Sequence, residues 1–369
     1  MSHQQSRHGA LRMAGLATVA ILAVAACSSG ATPAPTAASL APTAASLAPT
    51  TVAASESPAP SVPAKTLQLA YISFAVANSY DAPMLAAAQA AAAAGNAQLT
   101  VMDGNLDPAT QTKQLQDAVA SGKYDGIVVQ PVYGGALVTG VTDAMSKGIA
   151  VGNIDQVLGT DYTTAAAQVP GLSANVIFVA SDLGKKIADL AVKACAATGA
   201  SPCKIGYIFS VKAAGLDQEL RKAFDAEIAS STGITVVAEG ESFYTSAAGL
   251  KAAQDMLTAH PDINVIMGAD QAITGALQAV QSAGVKGKVM LVGYGGGAVA
   301  LQGIQSGDRF GTVMQMPATE GRVGVANLIA AIRTGKPIDG INVLANLPDG
   351  GVVTKDNVST FLPLTEWPG

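Results

Sequence analysis

The sequence predicts an α/β protein made of two lobes with parallel sheets, and three observations carry that reading. From Leu67 onward, short apolar runs of strand formers alternate with longer helical stretches. Such alternation implies parallel strands with helices on both faces. It runs through two series of similar length, separated by a long, weakly patterned connection from Asp155 to about Asn175. No apolar run within this body is long enough to span a membrane.

In the first series Leu67–Phe74 reads as a strand, and Asp81 is placed to cap a helix that runs to Gly95 with Pro83 in its first turn. Gln98–Asp103 is a strand. Asp107 and Pro108 then give an N-cap followed by Pro at the first helical position, opening a helix that closes at Gly122. Gly126–Gln130 is a strand, Gly135–Lys147 a helix and Ile149–Asn153 the next strand. Ile149–Gln156 organises this series: a buried strand that ends in an exposed carboxylate, Asp155, just beyond its C-terminal end. In open α/β sheets that edge is where ligands bind. The second series gives strands at Val176–Ala180, Lys204–Phe209, Ile234–Glu239, Val265–Gly268, Val289–Tyr294 and Phe310–Gln315. Its helices are Asp182–Thr198, Asp217–Ser231, Ala247–His260, Ala272–Ala283 and Ala318–Thr334, with Gly and Pro as their stops.

The N-terminus is a targeting segment. Arg7 and Arg12 supply positive charge ahead of an apolar core, Met13–Ala26. Val24-Ala25-Ala26-Cys27 resembles a bacterial lipobox, which makes 1–26 a lipoprotein signal peptide and Cys27 the lipidated first residue of the mature chain. Acyl chains on Cys27 would hold the protein to membrane lipid, an extracytoplasmic location anchored to the cell membrane. Residues 27–65 carry Ala-Pro-Thr-Ala-Ala-Ser-Leu at 34–40 and again at 41–47, with many prolines and almost no charge. Such a composition buries no core and reads as a disordered tether. Export also bears on Cys195 and Cys203, late in a helix and just before a strand. They either form a disulfide or remain two thiols; an oxidising compartment favours the disulfide, whose short loop would add about 2.5 kcal/mol on the chain-entropy model.

Several function classes are poorly supported. A net charge of −5 gives no electrostatic footprint for nucleic acid. The one histidine of the mature chain, His260, leaves no Ser/His or Cys/His pair, no G-x-S-x-G elbow is present, and no Cys/His cluster suggests a metal. Gly293-Tyr294-Gly295-Gly296-Gly297-Ala298 approximates a dinucleotide fingerprint, but no acid follows about twenty residues on at a strand end. A flexible turn on a ligand-facing edge explains it better, so no cofactor is expected. Binding is better supported. Aromatics are only 4% of the chain, yet Tyr80 (beside Asn78), Phe243-Tyr244 and Tyr294 fall in stretches that follow strands. Flat rings with amides and carboxylates suit sugars, whose faces are apolar and whose edges are hydroxyls; taken one by one, each ring also reads as a packing residue.

Taken together, Leu67 to Val358 resembles the type I periplasmic sugar-binding proteins, the ribose-binding-protein-like solute receptors of ABC importers. The carrying motifs are Asn78-Ser79-Tyr80, Asp103-Gly-Asn-Leu-Asp-Pro108, Tyr124-Asp-Gly-Ile-Val-Val-Gln-Pro131 and Ile149–Asp155. Leu257-Thr-Ala-His-Pro-Asp262, Ala269-Asp270, Leu291-Val-Gly-Tyr294 and Gln315-Met-Pro317 continue them in order. The resemblance implies two Rossmann-like lobes joined by a three-crossing hinge, with crossings near Ser181, Met316 and Asn346. It assigns 66–180 plus 317–345 to an N-terminal lobe and 181–316 plus 346–369 to a C-terminal lobe. Where the family's repressor relatives carry a DNA-binding helix-turn-helix, this chain has its signal and tether.

The resemblance also implies ligand contacts at Asn78, Tyr80, Asp155, Gln156, Tyr244 and Gln315. Several charged positions depart from the family pattern. Gln156 stands for an arginine, Leu220 for an arginine (with Arg221 one step along), Ala269 for an asparagine and Gly295 for an aspartate. Charge-assisted hydrogen bonds contribute about 1.5–3 kcal/mol each, so a site missing them is not one for ribose. The expected ligand is small, neutral and carbohydrate-like, such as a deoxysugar, polyol or glycoside, with the glycine run at 295–297 opening room for it. The expected partner is an ABC permease. Alternative readings are a sensor for a membrane kinase or chemoreceptor and, least favoured, an exported enzyme on this fold.

Overall fold

The structure is a computed structural model that describes residues 65–369. The expected signal peptide, Cys27 and all of the expected tether but Lys65 lie outside the described residues. The elements of the first series are β1 (Leu67–Ser73), α1 (Asp81–Ala94), β2 (Ala97–Asp103), α2 (Pro108–Ser121), β3 (Gly126–Val129), α3 (Gly134–Ser146), β4 (Ala150–Asp155) and β5 (Ala174–Ile177). Then follow α4 (Ala180–Thr198), β6 (Cys203–Phe209), α5 (Gly215–Ile228), β7 (Ile234–Glu241), α6 (Ser246–Ala259), β8 (Val265–Ala269) and α7 (Asp270–Ser282). β9 (Met290–Gly295), α8 (Ala298–Ser306), β10 (Gly311–Met314), α9 (Pro317–Thr334), β11 (Ile341–Asn342), β12 (Val352–Thr354) and α10 (Val358–Phe361) complete the chain.

The strands form two six-stranded sheets, ordered β11-β5-β4-β3-β1-β2 and β12-β10-β9-β8-β6-β7. Every pairing is parallel except β10 with β12. The two sheets repeat one wiring, in which the first strand of each series lies between the second and the third. The order reverses beside β1 in one sheet and beside β6 in the other, and such switch points open a crevice at the strands' C-terminal ends. Among the described residues the chain passes between the sheets three times, from β5 to β6, from β10 to β11 and from β11 to β12.

The central strands are buried on both faces, as parallel strands between helices must be: β3 is Gly-Ile-Val-Val, and each of its residues is buried. α9 packs on β3, β4, β5 and α1, whereas α4 packs on β8, β9 and β10. Each helix therefore covers the sheet opposite to the one holding the strand just before it. α6 and α7 approach so closely that a Cβ on Gly275 would meet Ser246 O at 2.0 Å, which explains a glycine mid-helix. Cys195 in α4 and Cys203 at the start of β6 are joined by a disulfide, with Cα atoms 5.7 Å apart.

Three expectations need correction. Asp81 is the first residue of α1 but does not cap it; Tyr80 occupies the cap position, and the Asp81 side chain turns inward to Gln130. Asp155 is the last residue of β4 rather than a residue beyond it, and it is 3% exposed rather than solvent-facing. In the connection that follows, 156–173, Val157, Leu158, Val169 and Leu172 are all buried. The short elements near the C-terminus (β11, β12 and α10) lack the length for a readable period. By contrast Asp107 caps α2 as expected, accepting from Ala109 N at 3.0 Å and Thr110 N at 3.2 Å.

Candidate functional site

The first lobe builds its side of the site on Gln130, the residue after β3. Its Oε1 accepts from Phe74 N (3.1 Å) and Tyr71 Oη (3.4 Å), and its Nε2 donates to Asp81 Oδ1 and to Asp155 Oδ2 (3.1 Å). One buried amide thus uses both its acceptor and donor sides to fix the chain after β1 and the end of β4. Tyr80 Oη also points at Asp155 Oδ1, 3.4 Å away, and Asn78 Oδ1 accepts from Tyr80 N at 2.8 Å, which holds the turn that aims the ring. Asp155 adopts φ 68°, a left-handed conformation that Asp tolerates better than most side chains. Asn153 holds the turn behind it by donating to Gln156 O at 2.8 Å.

Burial dominates the electrostatics here. It pushes the Asp155 carboxyl up to about 6, while hydrogen bonds from Gln130, Glu320 and Tyr80 pull the other way. Asp81 is raised well above the usual carboxyl range by burial and then by the charge of Asp155. Glu320 on α9 is fully buried, and its carboxyl faces that of Asp155. Burial first, and then Asp155, hold it well above its ordinary range, which favours the neutral acid.

The second lobe is built differently. Asp270, the residue after β8, is buried and accepts from Gly296 N, from Gly297 N (3.3 Å), from Thr312 Oγ1 (3.1 Å) and from Arg309 Nη1 (3.2 Å). The glycine turn at 295–297 is therefore pinned rather than flexible. Two of the backbone donors that a phosphate would need are already taken by a protein carboxylate, which removes the dinucleotide reading. The expected open room beside this turn is also absent. A Cβ on Gly295 would lie 2.6 Å from Trp367 Cζ2, and one on Gly297 would lie 2.6 Å from Gly369 Cα. The C-terminal segment fills the space.

Between the two strand edges lies a cavity with about 470 Å³ of empty space, mouth included. All six residues expected as ligand contacts line it: Asn78, Tyr80, Asp155 and Gln156 from the first lobe, Tyr244 and Gln315 from the second. Tyr244 contacts Phe74 edge-on at 6.0 Å, and Tyr80 contacts Trp367 edge-on at 5.5 Å, so ring pairs bridge the cleft. Tyr294 also lines it, its Oη 2.8 Å from Ser210 Oγ, whereas Phe243 turns outward and is 51% exposed. Sequence reasoning missed Phe74, Asp81, Gln271 and Trp367 as lining residues. Gln130 and Asp81 lie within or beside quoted motifs and were findable; Trp367 had no such signal. Among the described residues, no Lys, Arg or His lines the cavity. Leu220 is core, and Arg221 is engaged by Asp225 and Glu239, so it does not stand in for the missing arginine.

A family model for the periplasmic binding protein domain matches residues 69–337, more than half of the chain. The chain is a type I periplasmic binding protein. The D-allose-binding periplasmic protein of Escherichia coli is 29% identical to this binding protein over 231 residues, 61% of this chain and 71% of that one. A xylitol-binding protein of Mycolicibacterium smegmatis is 28% identical over 278 residues, 73% of this chain and 72% of that one. Among solved structures, a galactofuranose binding protein superposes with a TM-score of 0.70 at 19% identity, covering 81% of this chain and 98% of that one. The relatives are binding proteins rather than enzymes, and the wiring of both sheets in this binding protein matches that class.

Proposed function

We propose that this protein is an extracytoplasmic solute receptor that captures one small, neutral, carbohydrate-like molecule between its lobes and delivers it to an ABC permease. The observation that carries the reading is the convergence of Asn78, Tyr80, Asp155, Gln156, Tyr244 and Gln315 on one cavity bounded by both lobes. A ligand that touches both edges shifts the open–closed equilibrium, and the closed form is what a permease can recognise. The cavity offers amides, hydroxyls, carboxyls and rings but no cation, which suits a neutral polyhydroxylated ligand over an anionic one. The D-allose and xylitol of the relatives belong to that class. Lipid on Cys27 and the 27–65 tether would hold the receptor beside the membrane.

A thermal-shift screen of sugars, polyols and nucleosides tests this. A sugar or polyol is expected to raise Tm, and Asp155→Ala is expected to abolish the shift. If nucleosides alone stabilise the protein, the carbohydrate reading fails; if Asp155→Ala binds as tightly as the parent, Asp155 leaves the site.

A further inference from the structure

The C-terminal residues Thr365–Gly369 lie beyond the stretch matched by the family model, which ends at residue 337. They supply what two helices lack. α8 and α9 both begin without a side-chain cap, at Gly297 and Met316. The first N–H groups of any helix have no partner within it. At α8, Ala298 N donates to Trp367 O and Val299 N to Pro368 O, both at 2.9 Å. At α9, Thr319 N donates to one carboxylate oxygen of Glu366 at 2.8 Å, and Thr319 Oγ1 donates to the other. The dipole of α9 also favours a carboxylate there. One short segment thus caps a helix on each side of the cleft, because α8 packs on β10 of the second sheet and α9 on β3, β4 and β5 of the first.

The two fastenings are unequal. On the second-lobe side the main-chain bonds to α8 are joined by Thr365 Oγ1 donating to Gly296 O at 2.8 Å and Trp367 Nε1 donating to Gly295 O at 2.9 Å. On the first-lobe side the segment has Glu366 on Thr319 and an edge contact of Trp367 with Tyr80 at 5.5 Å. Arg322 Nη2 donates to Thr319 Oγ1 at 3.2 Å, which leaves that hydroxyl's proton for Glu366. Glu366 and Thr319 are both half-buried, so water can replace each for the other when they part. An opening rotation takes α9 with the first sheet and the C-terminal segment with the second. The Glu366–Thr319 contact is then the one that breaks.

We propose that Thr365–Gly369 is a latch that favours the closed arrangement of the lobes, with Glu366 as the positioning residue that engages it. This rests on the receptor reading above for its use, since closure gates capture, but not on which molecule is captured. Without the latch a smaller fraction of the protein is closed before ligand arrives, and apparent affinity falls with that fraction.

The test uses the full chain with spin labels at Lys113→Cys and Lys251→Cys. Both lysines are exposed, on α2 and α6. Those helices follow β2 and β7, which lie at the end of each sheet opposite the β11–β12 crossing, where opening moves the labels most. Label distances are measured by pulsed electron paramagnetic resonance, with no compound added, in the parent, Glu366→Ala, Glu366→Gln and Thr319→Val. Glu366→Ala is expected to move a population to longer distances, with about a tenfold fall in the closed-to-open ratio. Thr319→Val is expected to move it the same way by less. Glu366→Gln, whose amide oxygen still accepts from Thr319, is expected to stay nearest the parent. Urea unfolding is recorded alongside. A Glu366→Ala chain that keeps the parent's distances, whether or not it loses stability, overturns the latch and leaves Glu366 a helix cap only. If Glu366→Ala does not fold, Thr319→Val decides, because it keeps every backbone group. Thermal shift with D-allose and xylitol separates the two readings. Stabilisation with unmoved distances removes the latch and leaves the solute; moved distances without stabilisation by any sugar or polyol leave the latch and remove the carbohydrate.

Discussion

The two fourth strands, β4 and β9, hold the same place in sheets of the same order, yet they end in opposite chemistry. β4 ends at Asp155, a buried carboxyl at φ 68° that takes a hydrogen bond from a neutral amide, Gln130, one strand over. β9 ends at Gly295, φ 134°, followed by backbone N–H groups that donate to a carboxylate, Asp270, one strand over. Donor and acceptor have exchanged roles between matched positions. The first lobe is left with an acid facing the cavity; the second spends its acid on its own backbone and leaves a bare glycine that an indole covers. One fold can thus set a carboxyl or a bare glycine at the matched strand end by changing which of two adjacent strand ends carries the carboxylate.

The largest expected contrast lies in the residues one strand over. Asp270→Ala would leave Arg309 buried without its partner and free the 296–297 amides, a loss of about 3–5 kcal/mol in urea unfolding. Gln130→Ala removes a neutral group of the same position and is expected to cost about 1–3 kcal/mol, because a lost amide leaves unpaired polar atoms but no uncompensated full charge. Equal losses would mean that the two networks carry the same structural weight and would break the comparison.

The pH response sharpens it further. Burial is the first cause in raising Asp81, Asp155, Asp217, Asp270 and Glu320 above their ordinary range, Asp155 to about 6 and Asp217 to about 7. A carboxyl raised in the folded state binds its proton more tightly there than in the unfolded chain. Its stabilising contribution is complete below the unfolded value near 3.8 and is lost as pH rises through the folded value. The protein is therefore expected to be more stable at pH 5 than at pH 8, with Asp155 alone responsible for about 3 kcal/mol across its window. Asp155→Asn should flatten the Tm–pH curve between pH 4 and 7, whereas the matched position at Gly295 has nothing to titrate. A Tm that rises steadily from pH 5 to pH 8 would contradict the buried, protonated first-lobe cluster.

The smallest contrast concerns helices α2 and α6, which follow the second strand of each series. Asp107 caps α2 with two backbone donors, while Thr245 caps α6 with one, Ala248 N at 3.3 Å. Asp107→Ala is expected to destabilise the protein more than Thr245→Ala in denaturant unfolding. The reverse order would show that the tight turn before α6, where Phe243 and Tyr244 both have positive φ, carries more than its cap.

The sequence by itself determined the alternation of strands and helices, because parallel strands buried on both faces need unbroken apolar runs that stand out against amphipathic helices. It also placed Asn78, Tyr80, Asp155, Gln156, Tyr244 and Gln315 after or at the ends of strands, and the wiring of an α/β sheet gathers such residues at one edge. Tertiary structure alone decided the rest. Whether Asp155 is exposed depends on Tyr80, Gln130 and Glu320 closing around it from distant parts of the chain, which no local pattern shows. Whether Gly295–Gly297 opens a space or fills one depends on a C-terminal segment some seventy residues away. Glycines reserve volume for a partner without naming it, so a sequence can show the vacancy at 295 but only packing shows that Trp367 takes it.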